Sequence, residues 1–235
     1  MFDFHAHILP NVDDGSQSIE ESILMLQMLR EQGCEVVVAT PHFIADNDTS
    51  EAFFERRLKA YEVLKAELTK QEQSFPEILS GAEVYYYPGI SRMSELSSFC
   101  LENSKLLLLE MPVSKWNEYM IRELIEMTYI GNIQVVLAHF ERYLDMQNKD
   151  IWQKLIYNGI LLQSNASFFL NSRTKRKALK LLEKGRIHFI GSDCHNIKHR
   201  PPRIGDAVSV IQDKMGIEFV GEWERFQKTF FNTKI

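Results

Sequence analysis

Cysteine is scarce in this chain. Three residues, Cys34, Cys100 and Cys194, are spread over 235 positions, and no two of them form a CxxC pair. That excludes a disulfide framework and a cysteine-rich structural zinc site, and it fits reduced thiols in a cytoplasmic protein. Long hydrophobic runs are also missing. The longest are short stretches such as Leu106 to Leu109, far below the roughly 20 apolar residues that a membrane-spanning helix needs. The opening Met-Phe-Asp-Phe-His has no basic region leading into an apolar stretch, so no signal peptide is expected. Positive charge is not in excess: 27 Lys and Arg face 32 Asp and Glu, a net charge of −5 with pI near 5.8. That balance argues against nucleic acid or an anionic membrane as the main partner.

What is present is ordinary globular material. Hydrophobic residues make up 45% and charged residues 25%, enough for a sizeable core. The length suits one large α/β domain over residues 1–235. One pattern recurs: an amphipathic segment ends in glycine, and a short apolar run follows that ends in a polar residue. It is seen around Gly33, Gly131, Gly159 and Gly185. The glycine reads as the residue just past a helix, free to adopt positive φ. The apolar run reads as a strand buried on both faces, as in a parallel sheet. Ser18-Ile-Glu-Glu21 has capping-box spacing. The polar stretch 46–77 carries Phe53, Phe54, Leu58, Tyr61, Leu64 and Leu68 at near-helical spacing and reads as a long surface helix. Seven strands are expected, near 2–6, 35–40, 79–84, 105–110, 133–138, 160–164 and 187–192. Repeated β-α units imply parallel strands with right-handed crossovers. Seven such units can close as a barrel or stay open.

The polar residues fall at the ends of these strands. His5 and His7 end the first, with Asp14 in the following loop; His42 follows the second. Glu83 and Glu110 end the third and fourth; His139 follows the fifth; Asp193 and His195 follow the seventh. C-terminal ends of parallel strands meet on one face, so nine potential ligands converge on one mouth. Taken alone, each histidine is more often a surface or satisfied core residue. His-x-His on a strand places both rings on one side, and Asp193-x-His195 repeats the spacing. Glu110, at the end of four leucines, is costly to bury without a cation or partner. Taken jointly, the set reads as a polynuclear site for Mn²⁺, Fe or Zn²⁺. Such a site activates water and clamps an in-line displacement.

The segments His5-Ala-His7, Asp13-Asp14-Gly15, Thr40-Pro41-His42, Gly81-Ala82-Glu83, Ala138-His139-Phe-Glu-Arg142 and Ser192-Asp193-Cys194-His195-Asn196 resemble those of the PHP (polymerase and histidinol phosphatase) superfamily. Within it, the chain is similar to the manganese-dependent protein tyrosine phosphatases of bacterial capsule and exopolysaccharide loci, from residue 2 to about 215. The resemblance implies a distorted (β/α)7 barrel, TIM-barrel-like, with two or three Mn²⁺ ions. It implies that His5, His7, Glu83 and Asp193 hold a first metal, and that Glu83, Glu110 and His139 hold a second. Asp14, His42 and His195 would hold a third. Arg142 and Arg200 match the family's arginines, and their guanidinium forks suit phosphate oxygens and the charge that develops in transfer. The implied partner is a phosphotyrosine protein, a bacterial tyrosine autokinase with a tyrosine-rich tail.

Other readings compete. Cys194 and Arg200 have the C-x5-R spacing of cysteine-dependent tyrosine phosphatases, but the interior His-Asn-Ile-Lys-His lacks the small residues that let backbone amides wrap a phosphate. Histidinol phosphate, or another small phosphomonoester, is the alternative substrate for the same metal site. A nuclease is disfavoured by the acidic pI. A non-enzymatic module would lack ligands, and none of the nine is missing. Tyr85, Tyr86 and Tyr87 could frame an aromatic ring at the mouth, though aromatics more often pack. His188 reads as structural and His199 as solvent-facing; Trp116, Trp152 and Trp223 carry no motif.

Overall fold

A computed structural model describes residues 1–130 and 133–231. Its strands are β1 (Phe2–Ala6), β2 (Val36–Ala39), β3 (His42–Phe43), β4 (Glu77–Ser80), β5 (Glu83–Tyr85), β6 (Leu106–Glu110), β7 (Gln134–Leu137), β8 (Leu161–Asn165) and β9 (Phe189–Gly191). The helices are α1 (Ile19–Glu31), α2 (Ser50–Leu68), α3 (Glu118–Ile130), α4 (Lys149–Tyr157), α5 (Ala166–Leu170), α6 (Lys175–Glu183), α7 (Ile204–Met215) and α8 (Ile217–Lys228). Every strand pairing is parallel, in the orders β1-β2-β4 and β3-β5-β6-β7-β8-β9.

The nine segments occupy seven staves, as expected, because two staves are interrupted. β2 and β3 are separated by Thr40-Pro41, and β4 and β5 by Gly81-Ala82. Proline has no N–H to donate, so the ladder lapses there. Hydrogen bonds carry the pairing across the gaps: Gly81 N–H donates to Ala39 O at 2.8 Å and Glu83 N–H to Pro41 O at 3.0 Å. The ring closes where β9 runs on beside β1. Ala6 bridges Cys194, Asp193 N–H donates to His5 O at 2.8 Å, and His7 N–H donates to Cys194 O at 2.9 Å. The result is the distorted (β/α)7 barrel.

Local chemistry sets the helix ends. After α1 the N–H of Cys34 reaches Leu29 O and that of Gly33 reaches Arg30 O, with Gly33 at φ +83°. The same paired bonds follow α4 at Gly159 and α6 at Gly185, the glycine-terminated stop read from the sequence. Gly131 lies outside the described residues. Ser18 caps α1 by accepting from Glu21 N–H, while the Glu21 carboxylate accepts from Gln17 N–H instead of closing a box on Ser18. The long helix is shorter than 46–77: Thr49 caps it, and it ends at Leu68.

Alternation splits the apolar residues into two layers. Val37, Ala39, Leu107, Leu109, Val135 and Leu137 pack with helix residues such as Leu26, Leu124 and Ile211. Phe2, Phe4, Val36, Val38, Leu106, Leu108, Val136 and Phe189 fill the lumen, and Phe231 packs against Phe2 at the N-terminal ends of the strands. The apolar lumen leaves only the C-terminal mouth for polar groups. Phe4 stacks on Phe189 at 4.0 Å and is fully buried. Phe4→Ala should therefore cost about 3–5 kcal/mol, read as a fall in the denaturation midpoint. Tyr157→Ala, at an exposed site, should leave the midpoint where it is.

Candidate metal centre

The mouth is assembled by small departures from regular strand geometry. On β1, two residues lie between Asp3 and Ala6, while β2 has one between Val37 and Ala39. This bulge shifts the alternation. Phe2 and Phe4 point into the lumen, but Ala6 and Ile8 pack on the helix side. His5 and His7 are thereby turned to the lumen side above Phe4, a re-aiming that bulges commonly perform. Glu83 sits at the start of β5 opposite Leu108, and Tyr85 sits opposite Glu110. His139 and Asp193 take left-handed backbone, φ +32° and +53°, conformations that cost about 1–3 kcal/mol and concentrate at functional sites.

All nine expected residues come together. His5 Nε2 lies 3.0 Å from His7 Nε2 and 3.1 Å from Glu83 Oε2. His139 Nε2 lies 2.8 Å from Glu83 Oε1 and 3.4 Å from Glu110 Oε1. Asp193 Oδ1 is 3.6 Å from both His5 Nε2 and His7 Nε2. Asp14 Oδ1 lies 3.4 Å from His195 Nε2 and 3.5 Å from His42 Nε2. The ligand atoms fall into three overlapping groups: His7, Asp14, His42 and His195; His5, His7 and Asp193; His42, Glu83 and Glu110. This grouping differs in detail from the one implied by family resemblance, since His7 also joins the third group and His42 also faces Glu83, at 3.2 Å.

The donor set fits cations. Five imidazoles and four carboxylates face one another with the hydrogens of few true donors between them. The buried His195 Nε2 has no hydrogen-bond partner, and neither has His42 Nδ1, whose approach to Glu83 is misaligned. Two Nε2 atoms aim at one point from His5 and His7. Burial opposes charge on His7, but Asp13 and Glu83 hold it protonated up to about 10. Burial and then the charge of Glu83 push the Glu110 carboxyl up to about 7. Burial and the neighbouring His7 and Arg200 push His195 down to about 4. The cluster thus retains protons that bound cations would displace.

Four residues without a sequence-derived role hold this set in place. Asp13 accepts from His7 Nδ1 at 2.7 Å and from the N–H groups of Gly15 and His42, so His7 Nε2 is the nitrogen left for a ligand. Gln163 Oε1 lies 3.3 Å from His5 Nδ1 and accepts from His139 N–H at 2.7 Å. The Tyr143 hydroxyl lies 3.3 Å from His139 Nδ1, and Asn165 Nδ2 donates to Asp193 Oδ2 at 2.6 Å. The available signals were Asp13 beside Asp14 and the polar ending Gln-Ser-Asn of the sixth stave.

Arg142 and Arg200 converge on the same carboxylate oxygen. Arg142 Nη2 donates to Asp193 Oδ2 at 3.1 Å and Arg200 Nη2 lies 2.7 Å from it; Arg142 Nη1 also reaches Glu110 at 3.3 Å. Both are about two-fifths exposed at the inner end of a cleft of about 790 Å³. Cys194 is buried, and burial with the nearby Asp3 carboxylate keeps its thiol protonated well above the usual range. Of the three tyrosines, Tyr85 lines a second cavity with His42 and Glu110. Tyr86 is buried with its hydroxyl on Glu123, and Tyr87 donates to the Met93 sulfur. His188 accepts from Leu162 N–H through Nδ1 while its carbonyl receives Trp223 and Gln227, a structural tie. His199 is exposed.

A seven-stave parallel barrel with histidines and carboxylates gathered at its C-terminal mouth has the PHP-type architecture. The chain belongs to the capsular polysaccharide synthesis CpsB/CapC family, whose model matches residues 1–224. It is 30% identical over 233 residues to the tyrosine-protein phosphatase CpsB of Streptococcus agalactiae serotype III (strain NEM316), covering 93% of this chain and 92% of that one. It is 30% identical over 224 residues to the tyrosine-protein phosphatase YwqE of Bacillus subtilis (strain 168), covering 93% and 86%. Among solved structures it matches that of the metal-dependent tyrosine phosphatases YwqE from Bacillus subtilis and CpsB from Streptococcus pneumoniae. The TM-score is 0.79 at 25% identity, over 100% of this chain and 96% of the other. The histidinol phosphate phosphatase of Lactococcus lactis shares the fold, with a TM-score of 0.56 at 16% identity over 90% and 92% of the two chains.

Close approach at the mouth leaves no room on β9. A Cβ at Gly191 would meet His5 Cβ at 2.4 Å and His5 N at 2.9 Å. Gly191→Ala should displace His5 and lower the number of ions retained after dialysis, measured by elemental analysis. A variant retaining the wild-type ion count would contradict this packing.

Proposed function

We propose that the protein is a metal-dependent tyrosine-protein phosphatase. The observation that carries the reading is the convergence of nine ligand-type side chains with two arginines at one mouth. His5, His7, Asp14, His42, Glu83, Glu110, His139, Asp193 and His195 would hold two or three ions, Mn²⁺ ahead of Fe or Zn²⁺, because a mixed imidazole and carboxylate set suits these metals. When bound, the ions supply a water of lowered pKa and positive charge opposite the phosphoryl oxygens.

The chain's own residues do the rest. Arg142 and Arg200 both reach Asp193 Oδ2, so their remaining N–H groups converge where a phosphoryl group would enter. There they bind its oxygens and stabilise the charge that develops during transfer. The acceptor oxygens of Asp13 and Gln163 direct the Nδ1 protons of His7 and His5 and leave each Nε2 for a ligand, and the Tyr143 hydroxyl orients the His139 ring. The leaving phenol has a pKa of about 10, so the site needs no strong general acid. Cys194 takes no part, since it is buried and protonated. The substrate is phosphotyrosine on a protein, the tail of a tyrosine autokinase in capsule or exopolysaccharide synthesis, reached in the cytoplasm. The open cleft beside the arginines suits a polypeptide better than histidinol phosphate. No helix among the described residues is long and apolar enough to cross a membrane.

Turnover of a phosphotyrosine peptide should vanish on EDTA treatment and return with Mn²⁺. Arg142→Ala and Arg200→Ala should each lower kcat/KM by about 10²–10³-fold, and Cys194→Ser should keep full activity. Metal-free protein with unchanged turnover, or faster hydrolysis of histidinol phosphate than of the peptide, would refute the assignment.

A further inference from the structure

The cleft that begins at Arg142 and Arg200 extends well beyond them. Its volume, about 790 Å³, falls within the range of whole ligand sites, about 300–1,000 Å³, and exceeds what one phosphoryl group fills. Its outer wall is the segment 198–203, which presents Lys198 and Arg203 to solvent. Lys198 has no carboxylate within ion-pair distance among the described residues, and Arg203 has only Asp206, at 2.7 Å. The facing wall, from α5 to Thr174, contributes Ser167, Asn171 and Thr174 and no carboxylate. The two acidic groups of the cleft, Glu141 and Asp193, lie at its inner end and are already engaged by Asn165 and the arginines. In a chain of net charge −5, Arg142, Lys198, Arg200 and Arg203 are a local concentration of positive side chains against two lining carboxylates, and Lys198 is the one with no acidic partner among the described residues.

The cationic wall is also preorganised. Asn196 Oδ1 accepts from the N–H groups of Lys198, His199 and Arg200, and His195 N–H donates back to Arg200 O at 2.9 Å. Further along, the Gln32 side chain donates to Pro202 O and accepts from Gly205 N–H. A wall whose backbone is fixed before binding loses less entropy when its side chains are used.

We infer that this cleft is a subsite for a second anionic group, carried in the polypeptide beside the phosphotyrosine. The inference rests on the phosphatase reading above and adds a specificity element to it. Lys198 and Arg203 would bind a neighbouring carboxylate or phosphate while Arg142 and Arg200 hold the group being cleaved. The contact also steers acidic segments toward the mouth, and salt weakens it.

The test uses the Mn²⁺-loaded protein and three phosphotyrosine peptides: one with neutral neighbours, one with glutamates, and one with a non-hydrolysable phosphonate nearby. kcat/KM should favour an anionic peptide by about tenfold, the scale of one charge-assisted contact. The preference should shrink in about 0.5 M salt. Lys198→Ala combined with Arg203→Ala should abolish the preference while turnover of p-nitrophenyl phosphate is unchanged. Preference for only one anionic peptide supports the subsite and identifies its source as carboxylate or phosphate. Equal kcat/KM for all three peptides in the wild type, or a double variant that keeps the preference, overturns the inference alone. A wild type that hydrolyses none of these compounds overturns the phosphatase reading and the subsite with it.

Discussion

The structure depends on bringing four carboxylates and five imidazoles within a few ångströms of one another at the end of an apolar barrel. Glu83 and the rings of His5 and His7 are fully buried. Charges in such surroundings must be compensated, since removing an ionised group from water without a partner is prohibitive. In the protein alone the compensation is made by protons, which His7 retains and His195 releases. Cations would replace those protons, so binding them would stabilise the folded chain as well as equip it for chemistry. The strained backbone at His139 and Asp193 is tolerated within the same arrangement, because both residues turn their side chains toward the common centre.

The barrel makes that arrangement possible by separating its contents. Aromatic and branched residues fill the lower lumen, with Phe231 beneath them. The bulge in β1 then converts an inward phenylalanine row into an inward histidine pair within one residue. Gly191 allows β9 to pass against His5, and the bonds from Asp193 N–H to His5 O and from His7 N–H to Cys194 O close the ring at the same level. Closure and site assembly therefore share the same few backbone contacts.

Much of this was legible in the sequence. Glycine-terminated helices followed by apolar runs marked the staves, and the polar residue ending each run marked the mouth. Asp13 and Gln163 escaped because their role is to orient other side chains, and only proximity in space reveals it. The bulge was also hidden: His-x-His reports that two rings share a side, not which side. The breaks at Pro41 and Gly81 were invisible to a hydropathy pattern that continues through them. The overlap among ligand groups at His7 and His42 depends on distances of a few tenths of an ångström, which no spacing rule supplies.

The proposed phosphate chemistry requires cations at one mouth beside two arginines. Anomalous scattering from crystals of the Mn²⁺-loaded protein, collected at the manganese edge, tests this most directly. Two or three peaks are expected within bonding distance of His5, Glu83, His139, Asp193 and His195. Peaks confined to surface carboxylates, with this mouth holding none, would contradict it.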